Sequence, residues 1–203
     1  RALTQIDAAR AEPLLMPCLT GRGDWHPGAV MEVFHLAGAG QVVNPLLKSI
    51  ATAPADQTPQ LIRYLAEIAP VEGALLVSRI LASSSDEENL LIVCLDLLND
   101  SEELETVRAL AHHTNWHVRV HAAKALGRFG TLDDLALLTD MLLDSHWWVR
   151  YRAAQSLSLL PGLNSGELLH IKDIQTDRDA RDMLHQVMAE RELQPALLAV
   201  LHG

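Results

Sequence analysis

Aromatic residues are scarce in this sequence, at 4% of its 203 residues, and runs of valine and isoleucine are few. Leucine and alanine are abundant instead, within a hydrophobic fraction of 49% that is large enough to build a core. Sheets favour β-branched and aromatic side chains, whereas leucine and alanine are strong helix formers. The composition therefore predicts an all-α protein.

Common enzyme motifs are missing as well. The sequence has no phosphate-binding loop, no dinucleotide fingerprint, no serine-nucleophile motif and no His-Glu-x-x-His. Carboxylate pairs do occur, such as Glu87 with Glu88 and Asp133 with Asp134. They lie near predicted helix starts, where negative charge complements the helix dipole. We expect no catalytic residue, no cofactor and no enzymatic activity.

The sequence holds only two cysteines, Cys18 and Cys94, both in apolar helical stretches. We expect a reduced, buried pair rather than a disulfide, since a free cysteine packs as a small hydrophobic residue. No run of 18 apolar residues and no signal peptide occur, so we expect no membrane insertion and a cytoplasmic location. The chain starts at Arg1 without a methionine, which predicts a fragment or a processed form and leaves open an upstream anchor or targeting segment.

Positive charge is in short supply, and the net charge is −10. Such a protein repels a phosphate backbone, so we expect no nucleic-acid partner. The charge is uneven along the chain, however. Residues 101–160 carry six Lys and Arg against seven Asp and Glu, whereas both flanking stretches are acidic. The middle of the chain is therefore nearly neutral.

One stretch of the sequence recurs with a fixed period. Residues 116–130 read Trp-His-Val-Arg-Val-His-Ala-Ala-Lys-Ala-Leu-Gly-Arg-Phe-Gly; 147–157 repeat the pattern 31 residues later, and 178–188 repeat it weakly. A period of this size is typical of stacked helical pairs. One helical face of the first copy, expected to be buried, contains Val118, Ala122, Ala125, Leu126 and Phe129.

The whole chain, residues 1–203, is predicted to form a single α-α superhelix of about six helical pairs plus a closing helix. Residues 1–70 are expected to hold degenerate repeats, 71–190 clearer ones, and 191–203 a C-terminal cap. Trp25-His26 is interpreted as a degenerate first copy of the motif. One helix is predicted from about Asn44 to Ala53, where Pro54 stops it, and the last helix is predicted to start at Pro195.

The run Trp-His-Val-Arg-x-x-Ala-Ala-Lys-Ala-Leu-Gly-x-x-Gly at 116–130, with its copy at 147–157, resembles HEAT-like repeats. It is most similar to the short repeats, of about thirty residues, in phycobilisome lyase-type HEAT proteins. The resemblance is specific over 102–160 and weaker on both sides. It implies a structural ladder in which each arginine reaches an acidic group or carbonyl of the adjoining unit. The arginines at the equivalent position are Arg119, Arg150 and Arg181.

Histidines are dense in the first copy of the motif, at His112, His113, His117 and His121. The last two are spaced i and i+4 on one helix, as in zinc-binding helices. Further ligands and a general base are missing, and so are the repeated His-Glu dipeptides of HEAT-like di-iron hydroxylases. We therefore expect no metal site, and histidines that are solvated or part of a polar binding face.

The candidate binding face lies opposite the predicted core on the second helix of each unit. Its residues are His117, His121, Lys124 and Arg128 in one copy, and Trp148, Arg152, Gln155 and Leu159 in the next, with Tyr151 beside them. The HEAT resemblance implies that second helices line a concave side. Exposed Trp, Tyr and Arg side chains dominate the binding energy of interfaces. The alternative is that Trp148 packs between units, as we expect Trp116 and Trp147 to do.

The sequence supports three hypotheses about function. The first is a non-enzymatic scaffold that binds another protein in its concave groove, with an acidic segment as the expected ligand. Binding would strengthen at low pH, since imidazole takes up a proton near pH ~6.5. The second, a bilin lyase-like protein that handles tetrapyrrole chromophores, rests on the scaffold resemblance alone. The third, a nucleic-acid-binding or base-repair HEAT-like protein, needs a basic groove over several units, and only about one period here is cationic.

Overall fold

The computed structural model describes residues 15–19, 23–24, 26–37, 39–83 and 85–201, without the side chains of 36–41 and 192–201. Over these residues the regular structure is helical and no strand occurs, so the all-α prediction is confirmed. The first part of the degenerate repeats predicted over 1–70 lies mostly outside the described residues, although 15–19 are helical. Trp25 also lies outside them.

The described residues divide into two compact units, one ending at Asn99 and one beginning at Asp100. The first unit contains α1 (Pro27–Ala37), α2 (Ala39–Thr52), α3 (Thr58–Ile68), α4 (Pro70–Ala82) and α5 (Glu88–Leu97). The second contains α6 (Leu104–Leu110), α7 (Trp116–Phe129), a 3-10 turn (Leu132–Asp134), α8 (Leu135–Met141), α9 (Trp147–Leu157), α10 (Ser165–Ile174) and α11 (Arg178–Leu201). One continuous superhelix over the whole chain stays a prediction.

Helical pairs build the second unit. Helix α6 packs on α7, α8 on α9, and α10 on α11, while the second helices α7, α9 and α11 pack side by side. Small residues make this close packing possible, because Ala122, Ala123, Ala153 and Ala154 are fully buried. Polar side chains fix the helix starts. The Oδ1 of Asn115 accepts a hydrogen bond from the His117 backbone at 2.8 Å, and Thr131 and Asn164 form capping boxes.

Two of the predicted helix starts are wrong. Helix α2 starts at Ala39 and continues through Pro45, so no boundary falls near Asn44. Helix α11 is a single helix of 24 residues that passes through Pro195, rather than a helix followed by a separate closing one. A proline removes one backbone donor, but the residues on either side retain theirs, and here the helix continues across the gap.

No helix among the described residues has both the length and the apolar character needed to cross a lipid bilayer.

Candidate functional site

An open pocket of about 410 Å³ lies along the second helices of the second unit. Five of the predicted binding-face residues line it: Lys124, Arg128, Arg152, Gln155 and Leu159. Helix α11 completes the lining with Glu190 and Arg191. We call this the cationic pocket, because four of its lining side chains are Lys124, Arg128, Arg152 and Arg191.

Neutral hydrogen-bond donors hold the carboxylate of Glu190. The Tyr151 hydroxyl donates to its Oε2 at 2.8 Å, and the Gln186 side-chain amide donates to its Oε1 at 2.9 Å. The bond to Glu190, followed by burial, raises the pKa of Tyr151 above its usual value. Tyr151 therefore stays protonated at neutral pH and ties α9 to α11.

Two polar atoms of the pocket residues are buried without a hydrogen-bond partner. They are the Nε of Arg152 and the Oε1 of Gln155. Leaving a polar group buried and unsatisfied costs roughly 1–3 kcal/mol. Such a cost is uncommon in folded proteins. Both atoms are shielded from solvent, so a ligand would supply an acceptor and a donor only after these side chains turn toward the cavity.

Exposed aromatic rings cluster at the start of α9. The Trp147 ring stacks on the Tyr151 ring with centroids 5.0 Å apart, and Trp148 meets Trp147 edge-on at 4.7 Å. Trp148 is 56% exposed, so it is not enclosed between units. Trp148 and Arg152 are one turn apart on the same face of α9, about 6 Å along the helix axis. The aromatic cluster and the cationic pocket are therefore neighbours on one helix.

The expectation that Trp147 packs between successive helical pairs is wrong, because its side chain is 42% exposed. Its stacking partner Tyr151 lies one turn away on the same helix, at a spacing that brings two side chains together. The equivalent Trp116 is half-buried, and its ring is stacked against both His117 and His146, with centroids 3.6 and 5.0 Å away.

The predicted histidines lie apart from the cationic pocket. His117 is exposed and its ring lies on Trp116, while His121 is partly buried. Among the residues that the structure describes, no group of three His, Cys, Asp or Glu side chains could hold a metal ion.

The three ladder arginines make equivalent hydrogen bonds. In each, Nη1 donates to the backbone carbonyl six residues earlier: Arg119 to His113, Arg150 to Asp144 and Arg181 to Gln175, at 2.8, 2.8 and 3.3 Å. Arg119 and Arg150 also reach an acidic side chain of the following helical pair.

The better formed of these ion pairs joins Arg119 to Asp144. Its Nε and Nη2 donate to the two carboxylate oxygens at 2.7 and 2.9 Å, whereas Arg150 lies 3.6 Å from Asp179. Burial alone would raise the pKa of Asp144. The bonds from Arg119 and from the His146 backbone nevertheless hold this pKa below its usual value. The arginines thus connect successive helical pairs.

A further ion pair was not predicted. Asp134, which is 1% exposed, accepts hydrogen bonds from Arg108 at 2.6 and 3.2 Å and from the Thr131 backbone at 2.9 Å. From the sequence, Asp134 was expected only to complement the helix dipole. Its position three residues after Thr131 matches the capping-box spacing and indicates its contact with the Thr131 backbone.

A protein-family model of HEAT repeats matches residues 73–158, which cover most of α4 and continue to the end of α9. Residues 73–158 are therefore similar to HEAT repeats. The predicted HEAT-like fold is confirmed, and both α7 and α9 lie within the matched residues. The narrower likeness to phycobilisome lyase-type repeats stays a prediction. No curated protein and no solved structure matches the chain.

The contribution of α11 to the pocket was not predicted from the sequence. The 31-residue period places Gln186 one copy after Gln155, and Glu190 one copy after Leu159. Extending the binding-face register into the weak third copy would have found both residues. The place of Arg191 in the pocket lining follows from no such register, because it depends on how α11 packs against α9.

Proposed function

We propose that this protein is a non-enzymatic scaffold that binds an acidic segment of a partner protein on the outward face of α7 and α9. HEAT repeats commonly serve as protein-interaction scaffolds. The observation that carries the proposal is the convergence of Lys124, Arg128, Arg152 and Arg191 on one pocket beside the exposed Trp148.

Charge complementarity argues for an acidic ligand. The chain as a whole has a net charge of −10, so a cluster of four cationic side chains is a local exception. An acidic segment would be repelled by most of the chain and attracted to this pocket, which favours one binding position and raises the association rate. A basic ligand would meet the opposite pattern.

The aromatic cluster supplies the apolar part of the interface. Trp148 and its neighbour Trp147 present large, rigid side chains with substantial exposure. Aromatic side chains next to arginine are frequent among the residues that dominate binding energy. We therefore expect the partner segment to carry an apolar side chain close to its acidic residues.

Capture experiments with matched variants test this proposal. The wild-type chain is compared with Trp148→Ala/Arg152→Ala and with the control Val71→Ala/Leu75→Ala, which removes exposed apolar side chains (70% and 64% exposed) from the other unit. We expect a set of proteins that the wild type and the control retain and the first variant loses. A synthetic acidic segment from such a protein should compete for binding. Equal retention by all three chains would contradict the proposal.

The histidines are tested separately. His117 stacks on Trp116 and neither it nor His121 lines the cationic pocket, so His117→Ala/His121→Ala should weaken capture less than the Trp148/Arg152 pair does. A larger loss would shift the binding face toward the start of α7.

The rival functions and the location have direct tests. If the chain belongs to the short-repeat subfamily and has a bilin lyase-like activity, its incubation with a bilin should shift the absorbance spectrum. Nucleic-acid binding predicts retention of DNA on a gel that weakens with salt. We place the protein in the cytoplasm as part of this proposal, and imaging of the full-length tagged protein tests that location.

A further inference from the structure

We propose that the cationic pocket binds a phosphomonoester carried by a phosphorylated serine or threonine of the partner segment. This inference rests on the proposed function and adds the chemical group that the pocket selects. Three features of the pocket support it: the charge of its lining, the way Glu190 is held, and the two buried polar atoms without partners.

The charge of the lining matches a dianion better than a single carboxylate. Among the described residues, four cationic side chains line the pocket with one carboxylate, that of Glu190. A phosphomonoester carries a charge of about −1.5 to −2 at neutral pH and offers three acceptor oxygens. Arginine forks bind such a group through paired N–H···O bonds. A glutamate side chain would supply half of that charge and fewer acceptors.

The position of Glu190 leaves Arg152 and Arg191 as charged donors in the pocket. Both of its oxygens accept bonds from the neutral donors Tyr151 and Gln186. Among the described contacts, Glu190 is thus held by α9 and α11 through neutral groups, while Arg152 and Arg191 line the cavity. An entering oxyanion can bind these guanidinium groups without breaking the bonds that hold Glu190.

Once Arg152 and Gln155 turn toward a ligand, their two unpartnered polar atoms would favour a phosphate that is part of a peptide. The Arg152 Nε lacks an acceptor, and the Gln155 Oε1 lacks a donor. A phosphate oxygen would supply the acceptor, and a backbone N–H beside a phosphorylated residue would supply the donor. Free phosphate offers good acceptors but no peptide N–H. The neighbouring Trp148 would then contact a side chain about two residues away along an extended segment, at ~3.3 Å per residue.

Small probes test the inference directly in the intact chain. Binding of N-acetyl-phosphoserine amide, N-acetyl-glutamate amide and inorganic phosphate is followed by ¹H–¹⁵N NMR at equal ionic strength and pH 7.5. The reporter is the Arg152 Nε–H signal, which is assigned by its loss in Arg152→Lys. We expect a saturable shift with the phosphoserine amide, an affinity at least fivefold weaker with the glutamate amide, and an intermediate affinity with inorganic phosphate.

Matched variants locate the effect. Arg152→Lys keeps the charge but removes the forked N–H donors of the guanidinium group. It should reduce the preference for phosphoserine over glutamate to below twofold. Binding to this variant is followed through backbone amide signals. Arg191→Gln, on a more exposed residue, should weaken phosphoserine binding several-fold and guards against misfolding of the first variant. The control Arg178→Lys alters an exposed arginine that does not line the pocket, and should change nothing.

Two results would overturn the inference: glutamate binding as tightly as phosphoserine, or no saturable shift with any probe. Inorganic phosphate binding as tightly as the phosphoserine amide would overturn the peptide-borne source. If an acidic partner segment still requires Trp148 and Arg152, the proposed function survives each of these failures. Conversely, phosphoserine binding together with partner capture that does not depend on Trp148 or Arg152 would contradict the scaffold role of this face.

Discussion

Gly127 of α7 lies directly against Ser156 of α9. A Cβ atom on Gly127 would be 2.9 Å from the Cα of Ser156 and 2.6 Å from its hydroxyl oxygen. The same hydroxyl donates a hydrogen bond to the Ala123 carbonyl at 2.7 Å. Two neighbouring second helices, both of which contribute to the cationic pocket, are therefore held together by one tight contact and one buried hydrogen bond. The position of Arg152 relative to Lys124 depends on this packing.

Replacing Gly127 with alanine should destabilise the protein. Alanine is the better helix former by about 1 kcal/mol, but an overpacked contact costs ~1–3 kcal/mol, and here part of the obstruction is backbone that cannot rotate away. We expect the upper part of that range, and so a net loss of about 1–2 kcal/mol in the free energy of unfolding, measured by denaturant titration. The control is Gly28→Ala, where the added Cβ meets only the flexible His26 ring. A Gly127→Ala protein as stable as the wild type would contradict the packing described here.

Removing Arg119 should destabilise the second unit in a pH-dependent manner. Because the folded pKa of Asp144 is lowered, its pair with Arg119 adds stability above the unfolded pKa of about 3.9 and loses it as the pH falls through the folded pKa. Arg119→Gln leaves a largely buried carboxylate without its partner, which costs roughly 3 kcal/mol at pH 7. The free energy of unfolding, measured by denaturant titration, should therefore differ less between pH 7 and pH 3 in the variant than in the wild type.

An exposed pair provides the control for that measurement. Arg178 lies 3.5 Å from Asp182 with both side chains well exposed, so Arg178→Gln should change stability by less than about 0.5 kcal/mol. Equal costs for Arg119→Gln and Arg178→Gln would mean that the Arg119–Asp144 pair contributes no more than a surface contact.

The two cysteines should be unreactive in the folded protein. Neither cysteine is in a disulfide and both are buried, and burial raises the pKa of Cys94 to about 12. Since the thiolate is the reactive form, a thiol reagent at pH 8 should modify neither cysteine within the time in which it modifies both in denaturant. Mass spectrometry after timed labelling measures this. Fast labelling of Cys94 under native conditions would show that α5 opens readily.

Truncating Trp148 should separate binding from stability. The ring is more than half exposed, so Trp148→Ala should lower the free energy of unfolding by about 1 kcal/mol or less, mostly through its edge contact with Trp147. Affinity for an acidic partner segment should fall by about 2 kcal/mol, which is roughly 30-fold in Kd. The control Leu75→Ala should leave both quantities unchanged. A stability loss that matches the loss of affinity would make Trp148 a packing residue.

The sequence predicted the local features of the HEAT repeats well. Val118, Ala122, Ala125 and Leu126 are all buried, as the helical period indicated. Phe129 was assigned to the same face but is only partly buried, and the Arg128 guanidinium lies 4.6 Å from its ring centre. This difference follows from its place in the last turn of α7, where the end of the helix leaves one side of the ring open.

The features that sequence reasoning missed depend on contacts between distant helices. Arg191 reaches the Ser158 carbonyl and lines the pocket because α11 packs on α9, and no pattern within either helix specifies that. His146 stacks on Trp116 across a separation of thirty residues. The periodic pattern indicates which face of each helix is free, whereas the packing of successive helices decides which side chains meet there.

The division at Asn99 also gives the chain two intrinsic reporters. Cys18 and Cys94 both precede that point, whereas Trp116, Trp147 and Trp148 all follow it. With Trp25→Phe in the background, thiol accessibility records the melting of the earlier residues and indole emission records that of the later ones. Coincident midpoints would mark a single cooperative array. Separate midpoints would assign each stretch its own stability, without any attached dye or tag.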